Sequence, residues 1–160
     1  MPITPVRRKD SKALKKIYKG LKELTKKEIA LGFPEGKCHP YDEPPYLGVA
    51  EVAAKQVFGV GVPQRDFMSQ ARPIIEKKCR KVLKAIVKVA EIGSDPSELL
   101  EAAGLYGSEA IKEAIEEGDY EPLSPYTIQK RIENGRPSTK PLIDTAHMIT
   151  SATYVVREKR

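Results

Sequence analysis

The sequence predicts an α+β protein in which a small, mainly antiparallel sheet packs with about four helices, two of them long. Apolar residues recur at helical spacing through residues 11–28 and 73–92, and a capped helix start follows at Asp95. Short β-prone runs at residues 29–33 and 152–157 lie far apart in the chain. Because two or three strands make a marginal sheet, these runs must pair with each other or with another chain.

The N-terminal region is predicted to contain an arm, a helix and a strand. Residues 1–10 carry a basic cluster and little to bury, so we expect a flexible basic arm, followed by a single domain at residues 11–160. Within residues 11–28, one side of the expected helix is apolar and the other is rich in lysine. The strand at residues 29–33 is predicted to end at Pro34.

The middle of the chain is predicted to contain a loop and two helices. The proline-rich stretch at residues 37–46 is either a loop or a third strand, and an alanine-rich helix ending at Gly59 follows it. The next helix is long. It begins at Asp66 or at Pro73 and ends at Gly93.

Two capping sequences predict the remaining helices. Residues 95–98 place an acceptor at the cap, proline next and glutamate three residues after the cap, which begins a helix that reaches Gly118. Gly104 and Gly107 mark a segment where this helix can bend. Ser124 and the proline after it begin a short helix, and a short helical turn precedes the final strand.

The net charge of +6 is unevenly distributed along the chain. Residues 1–30 hold ten Lys or Arg against three acids, and residues 72–91 hold seven against two. Residues 95–121 hold nine acids against Lys112 alone. Such blocks are solvated helix faces, contacts for an acidic partner, or matched surfaces of neighbouring subunits. We hypothesise that the basic surfaces of the first and third helices meet the acidic block of a neighbouring subunit.

The residues that usually carry chemistry are sparse. Cys38 and Cys79 have no C-x-x-C spacing, and Cys38 with His39 supplies only two of the ligands a metal site needs. His147 is the only other histidine, and its spacing from Asp144 fits a local contact. No nucleophile elbow, phosphate-binding loop or zinc-protease motif is present. The sequence therefore predicts a protein without catalytic activity, cofactor or metal.

A membrane and a nucleic acid are two further classes of partner to consider for a basic chain. No apolar run approaches the roughly 20 residues of a membrane-spanning helix, so no membrane partner is expected. The chain lacks an aromatic-basic pattern for stacking on single strands and the spacing of common DNA-reading motifs. A small basic DNA-associated protein remains the alternative function, because several basic residues can neutralise phosphates without reading sequence: Arg7, Arg8, Lys9, Lys15 and Lys19.

Three segments carry a resemblance to a known family. They are LGFPEGK at residues 31–37, VPQRDFM at 62–68 and KPLIDTAHMITSATYVV at 140–156. In this order they resemble the "GFP-x-G", "P-x-R-P-F" and "PLIDTG" elements of neck or tail-completion proteins of tailed bacteriophages. Two departures matter. Asp66 replaces a proline, and Ala146 stands where the family has glycine, which strains the chain if that residue needs a positive φ.

The resemblance implies a structural protein at the head–tail junction of the virion, assembled in the host cytoplasm. Copies would form a ring that joins portal and head-closure proteins to the tail tube or terminator, with non-specific contact to the DNA passing through. Residues in two of the segments are expected at subunit or partner interfaces: Arg65, Asp66, Phe67, Pro141, Leu142, Asp144 and Thr145. For residues 65–67 a purely structural turn, with Phe67 in the core, is the alternative. A host-encoded scaffolding or partner-binding module is a third possibility for the whole chain.

Overall fold

The structure, a computed structural model, describes residues 11–33 and 48–159. Two strands and six helices occur within these ranges: α1 Ser11–Thr25, β1 Lys27–Gly32, α2 Val49–Phe58, α3 Phe67–Glu91, α4 Ser97–Glu117, α5 Pro125–Glu133, α6 His147–Ser151 and β2 Thr153–Glu158. The α+β class and its two long helices, α3 and α4, are confirmed. The short helices α5 and α6 bring the number of helices above the expected four. The predicted arm at residues 1–10 and the possible strand within 37–46 lie outside the described residues.

The sheet is the antiparallel pair that the sequence allowed. β1 and β2 pair in register from Lys27 opposite Glu158 to Gly32 opposite Thr153. On the outer side of the pair, Arg157 Nε donates to Glu28 Oε1 at 2.7 Å across 129 residues of sequence. The two β-prone runs thus pair with each other in the same chain.

Helix α4 is the centre of the fold, since it packs against both the sheet and α3. The side chains of Leu31 and Tyr154, which are cross-strand partners, lie on Gly107 and Gly104 of α4. Helix α4 continues through both glycines, so the close approach of the sheet accounts for them, and no bend is needed. Small residues therefore allow the sheet to approach the helix backbone.

The core has two parts. The larger gathers residues from the three resembling segments and from α2, α3 and α4, with Phe67 and Ile111 fully buried. The smaller joins α1 and the sheet to α3 and α4, where Leu24 and Ile29 pack against the buried cluster of Ile86, Leu100 and Ala103. At about 25 cal/mol per Å² of buried apolar surface, these mainly aliphatic clusters supply the favourable term for folding.

Several helix boundaries differ from prediction by a few residues. Helix α1 ends at Thr25, before residue 28, because β1 takes the chain into the sheet at Lys27. Of the two predicted starts for α3, Asp66 is confirmed: its Oδ1 accepts from Ser69 N–H at 3.0 Å, and Pro73 lies inside the helix. At the start of α4, Asp95 Oδ1 accepts from the backbone N–H of Ser97 at 3.1 Å, two residues on.

Candidate assembly surface

Arg65 lies inside the protein and connects two parts of the fold. Its Nη1 donates to Gln56 Oε1 on α2 at 3.1 Å, while Nε and Nη2 donate to the carbonyl oxygen of Glu121 at 3.4 and 3.3 Å. Its backbone N–H also donates to the carbonyl of Gln56 at 2.7 Å. A buried guanidinium needs such partners, because an unpaired charge in the interior is costly.

The two residues after Arg65 begin α3. Asp66 Oδ2 accepts from the Ser69 hydroxyl at 2.6 Å, and these contacts with Ser69 hold the pKa of Asp66 below its usual value. Phe67 is fully buried and meets the ring of Phe33 edge to face, with centroids 5.9 Å apart. The burial of Arg65 and Phe67 favours the structural alternative for this turn, and of the three residues Asp66 alone is partly accessible to a partner.

Arg131 organises the segment that contains the predicted residues Pro141, Leu142 and Asp144. Its Nη1 donates to three backbone carbonyls, those of Ser138, Lys140 and Ile143, at 3.1, 2.9 and 3.0 Å, and its Nη2 donates to that of Pro141 at 3.3 Å. The loop therefore wraps around one planar cation, which only arginine provides with enough donors. Leu142 points into the main core. Sequence reasoning did not single out Arg131.

Asp144 is paired with two arginines. Its Oδ2 accepts from Arg136 Nη1 at 2.6 Å, and its Oδ1 lies 3.5 Å from Arg131 Nε. Burial lowers the pKa of Arg131, and the Asp144 carboxylate opposes this shift. The Oδ1 atom is buried and accepts no hydrogen bond from the described residues, so it is held by charge attraction alone. The arrangement fixes the predicted residue Asp144 in the fold.

The backbone at Ala146 is left-handed, with φ 58° and ψ 3°. Thr145 Oγ1 accepts from the N–H of His147 at 3.4 Å, and the Thr150 hydroxyl donates to the carbonyl of Ala146 at 3.1 Å. Ala146 thus places a side chain in a conformation that disfavours one, at the position where the phage proteins that the sequence resembles have glycine. Such strain costs about 1–3 kcal/mol when the surroundings enforce it.

A cavity of about 180 Å³ lies between α2 and the PLIDT segment. Gln56, the acceptor of the Arg65 hydrogen bond, lines it together with Arg131, Asp144 and His147. Phe67 and Leu142 also belong to the same buried cluster, so the fold brings the turn at residues 65–67 close to the PLIDT segment.

The predicted phosphate contacts on α1 are exposed. Lys15 faces solvent, and Lys19 lines a groove of about 380 Å³ with Lys16 and Lys27. Glu23 and Asp95 line the same groove, which makes its charge mixed. Residues 7–9, the other predicted phosphate contacts, lie outside the described residues.

Part of the segregated charge is paired within the chain. Lys78 of α3 forms an ion pair with Glu113 of α4, and this contact raises the pKa of Lys78. One ion pair between the basic and acidic blocks is therefore made within a single subunit, where α3 packs on α4. Most other charges of both helices face solvent.

Two exposed apolar patches stand among the remaining charges. The lysine-rimmed patch consists of Leu83 and Val87 on α3, 48% and 42% exposed. Leu14 and Tyr18 on α1 are also exposed, at 62% and 69%. The glutamate-rimmed patch consists of Leu105 and Tyr106 on α4, 48% and 40% exposed. Side chains that leave so much apolar surface in water are candidates for contact with another protein.

Metal-binding groups and thiols can be located among the described residues. Across residues 11–33 and 48–159, no three side chains of His, Cys, Asp or Glu lie where they can hold a metal. Cys79 is buried, its Sγ lies 3.5 Å from the carbonyl oxygen of Ala103, and burial raises its pKa, which disfavours the reactive thiolate. Cys38 and His39 lie outside the described residues. Among the described helices, none combines the length and apolar character needed to cross a membrane.

Comparisons with known proteins found no matching family model, no matching curated protein and no matching solved structure. The phage resemblance thus rests on the three sequence segments, and the geometry described above is the basis for reasoning about function.

Proposed function

We propose that this chain is a non-enzymatic structural protein of the neck of a tailed bacteriophage. Copies form a ring that connects portal and head-closure proteins to the tail tube or terminator and lets DNA pass. Its place is the head–tail junction of the virion, after assembly in the host cytoplasm. The work of such a protein is interface formation, and a repeated heterologous contact closes a ring.

The convergence of the three resembling segments in one core carries the proposal. Phe33 from the first segment packs on Phe67 from the second. Leu142 and Met148 from the third belong to the same buried cluster as Phe67. Motifs that specify a common fold are expected to meet in the core, whereas chance matches have no reason to meet. This supports treating the three segments as one signature.

The two exposed patches also support an assembly role. Neither patch is covered by the described part of the chain, and both combine apolar side chains with charged neighbours. That combination is typical of protein interfaces, which have an apolar centre and a polar rim.

The test is the mass of the purified full chain by light scattering at low and high salt, with electron microscopy of the same samples. A discrete ring with a central channel, formed without DNA, is the expected result. For a protein that assembles only on an adjoining ring, the decisive assay is a phage lacking the chain. Filled heads and finished tails that fail to join are expected there, and normal particles would contradict the proposal.

The groove of α1 favours one second candidate, a small basic DNA-associated protein. Lys16, Lys19 and Lys27 can together approach a phosphate backbone. Binding of this kind weakens steeply with salt, with a slope of about 0.9 per phosphate neutralised. A monomer that binds short duplex tightly at low salt, and with that salt dependence, would favour this candidate over the ring.

A further inference from the structure

We propose that the lysine-rimmed patch of one copy docks on the glutamate-rimmed patch of the next copy, and that this contact is the repeating interface of the assembly. The inference rests on the proposed function, since it specifies which surfaces the ring uses. It assigns the partner of both patches to a second copy of this chain.

The two residues of the lysine-rimmed patch lie on one face of α3. Val87 follows Leu83 by four residues, about one helical turn, so the two side chains are neighbours on the helix surface.

Positive charges surround this patch. Arg80 stands three residues before Leu83, and Lys84 stands three residues before Val87, so both cations are neighbours of the patch on the helix surface. Both cationic side chains are exposed, so their charge is available to a partner.

The glutamate-rimmed patch has the opposite charge around a similar centre. Leu105 lies between Glu101 and Glu109, each four residues away on the same face of α4. Glu109 also stands three residues after Tyr106, so it borders both apolar side chains. Lys78 pairs with Glu113 and leaves Glu101 and Glu109 exposed, which keeps this rim acidic.

A second copy fits because each patch supplies what the other lacks. Both have an apolar centre, and their rims carry opposite charges. The glutamate-rimmed patch includes Tyr106, a residue type enriched among the strongest contributors to interfaces. The two surfaces differ, so the contact is heterologous and adds subunits around an axis. A stable interface buries about 800 Å² per partner, and the patches would form its centre.

The experiment uses three charge-reversal variants of the full chain. The first carries R80E and K84E, so that both surfaces become acidic there. The second carries E101K and E109K, so that both become basic. The control carries K55E and K130E, which reverse two exposed lysines on α2 and α5. Far-ultraviolet circular dichroism and urea unfolding establish that each variant folds, and sedimentation measures self-association.

We expect each reversed surface to weaken self-association about tenfold or more, because like charges then face each other. The control should associate as the wild type does. Mixing the first two variants should restore assembly, with the two kinds of subunit alternating, a result that loss of folding cannot produce.

Rings that form equally well in both patch variants and in the control would overturn this inference while leaving the proposed function intact. A wild-type chain that stays monomeric at every salt and protein concentration would also overturn it. The joining of heads and tails in the phage that lacks the chain decides the proposed function separately.

Discussion

The ring of Tyr154 on β2 lies directly against Gly104 of α4, where a Cβ atom would overlap it. Leu31, the cross-strand partner of Tyr154, lies in the same way on Gly107. The hydroxyl of Tyr154 meets Glu101 of the same helix, and this contact raises the pKa of the phenol. Sheet and helix thus fit together through two glycines, although glycine is intrinsically unfavourable in a helix.

The first prediction follows from this fit. G104A should destabilise the protein by about 1–3 kcal/mol, because the added methyl group pushes the Tyr154 ring away. This loss should exceed the gain of about 1 kcal/mol that alanine brings to a helix. Urea unfolding measures it, with E116A, at an exposed position of α4, as the control. Stabilisation by G104A would show that the contact is not tight.

The second prediction concerns the left-handed residue Ala146. A146G should stabilise the protein by about 1 kcal/mol, since relief of backbone strain outweighs the greater freedom of glycine in the unfolded chain. A54G, at an exposed helical position of α2, should instead cost about 1 kcal/mol. Opposite signs in urea unfolding are the expected result. A loss of stability in A146G would mean that this backbone conformation is not strained.

The third prediction tests Arg131 as the organiser of residues 138–144. R131K keeps the charge but cannot reach four carbonyl oxygens and Asp144 together, so stability should fall by about 2 kcal/mol. The matched control is R72K, because Arg72 is exposed and its ion pair with Glu76 lies one turn away on the helix surface. Thermal unfolding compares the two. Equal midpoints would contradict the assigned role.

Local signals in the sequence predicted most elements, because their causes lie within a few residues. The side chains of Asp66 and Ser124 each accept a hydrogen bond from the backbone N–H three residues later, as helix N-caps do. Gly59 and Gly93 have the positive φ that is common where a helix ends. For the strands the sequence left two options open, pairing with each other or with another chain, and the structure shows the first. The α+β class could therefore be derived before any contact was known.

The contacts of the site could not be derived in the same way, since distant segments create them. Nothing in the spacing distinguishes Arg131 from its basic neighbours until the loop wraps around it. The burial of Arg65 depends on the carbonyl of Glu121, and the role of Gly104 depends on Tyr154. Sequence patterns predicted a turn and a flexible point there, whereas tertiary packing determines what these residues do.

The fourth prediction concerns stability at alkaline pH. The hydroxyl of Tyr120 donates to the carbonyl oxygen of Ala114 at 2.5 Å, and burial, with a smaller effect of the Asp66 carboxylate, raises its pKa to about 12. An unfolded tyrosine titrates near pH 10, so the folded state retains this proton at higher pH than the unfolded state does. The resulting stabilisation is complete below about pH 10 and is lost as pH rises toward about 12.

Y120F should therefore lose about 1 kcal/mol at neutral pH, through the missing hydrogen bond. The difference between wild type and Y120F should shrink as pH rises from about 10 to about 12, because ionisation of Tyr120 then costs the wild type its advantage. Urea unfolding across that range measures the difference, and phenolate absorbance follows the ionisation directly. Y126F, which alters an exposed tyrosine of α5, is the control: its stability should follow that of the wild type across this pH range, and its absorbance should keep the last tyrosine to ionise. A constant difference between wild type and Y120F would show that Tyr120 titrates alike in the folded and unfolded states. The last tyrosine to ionise in the folded wild type should be absent in Y120F, which assigns the raised pKa to this residue.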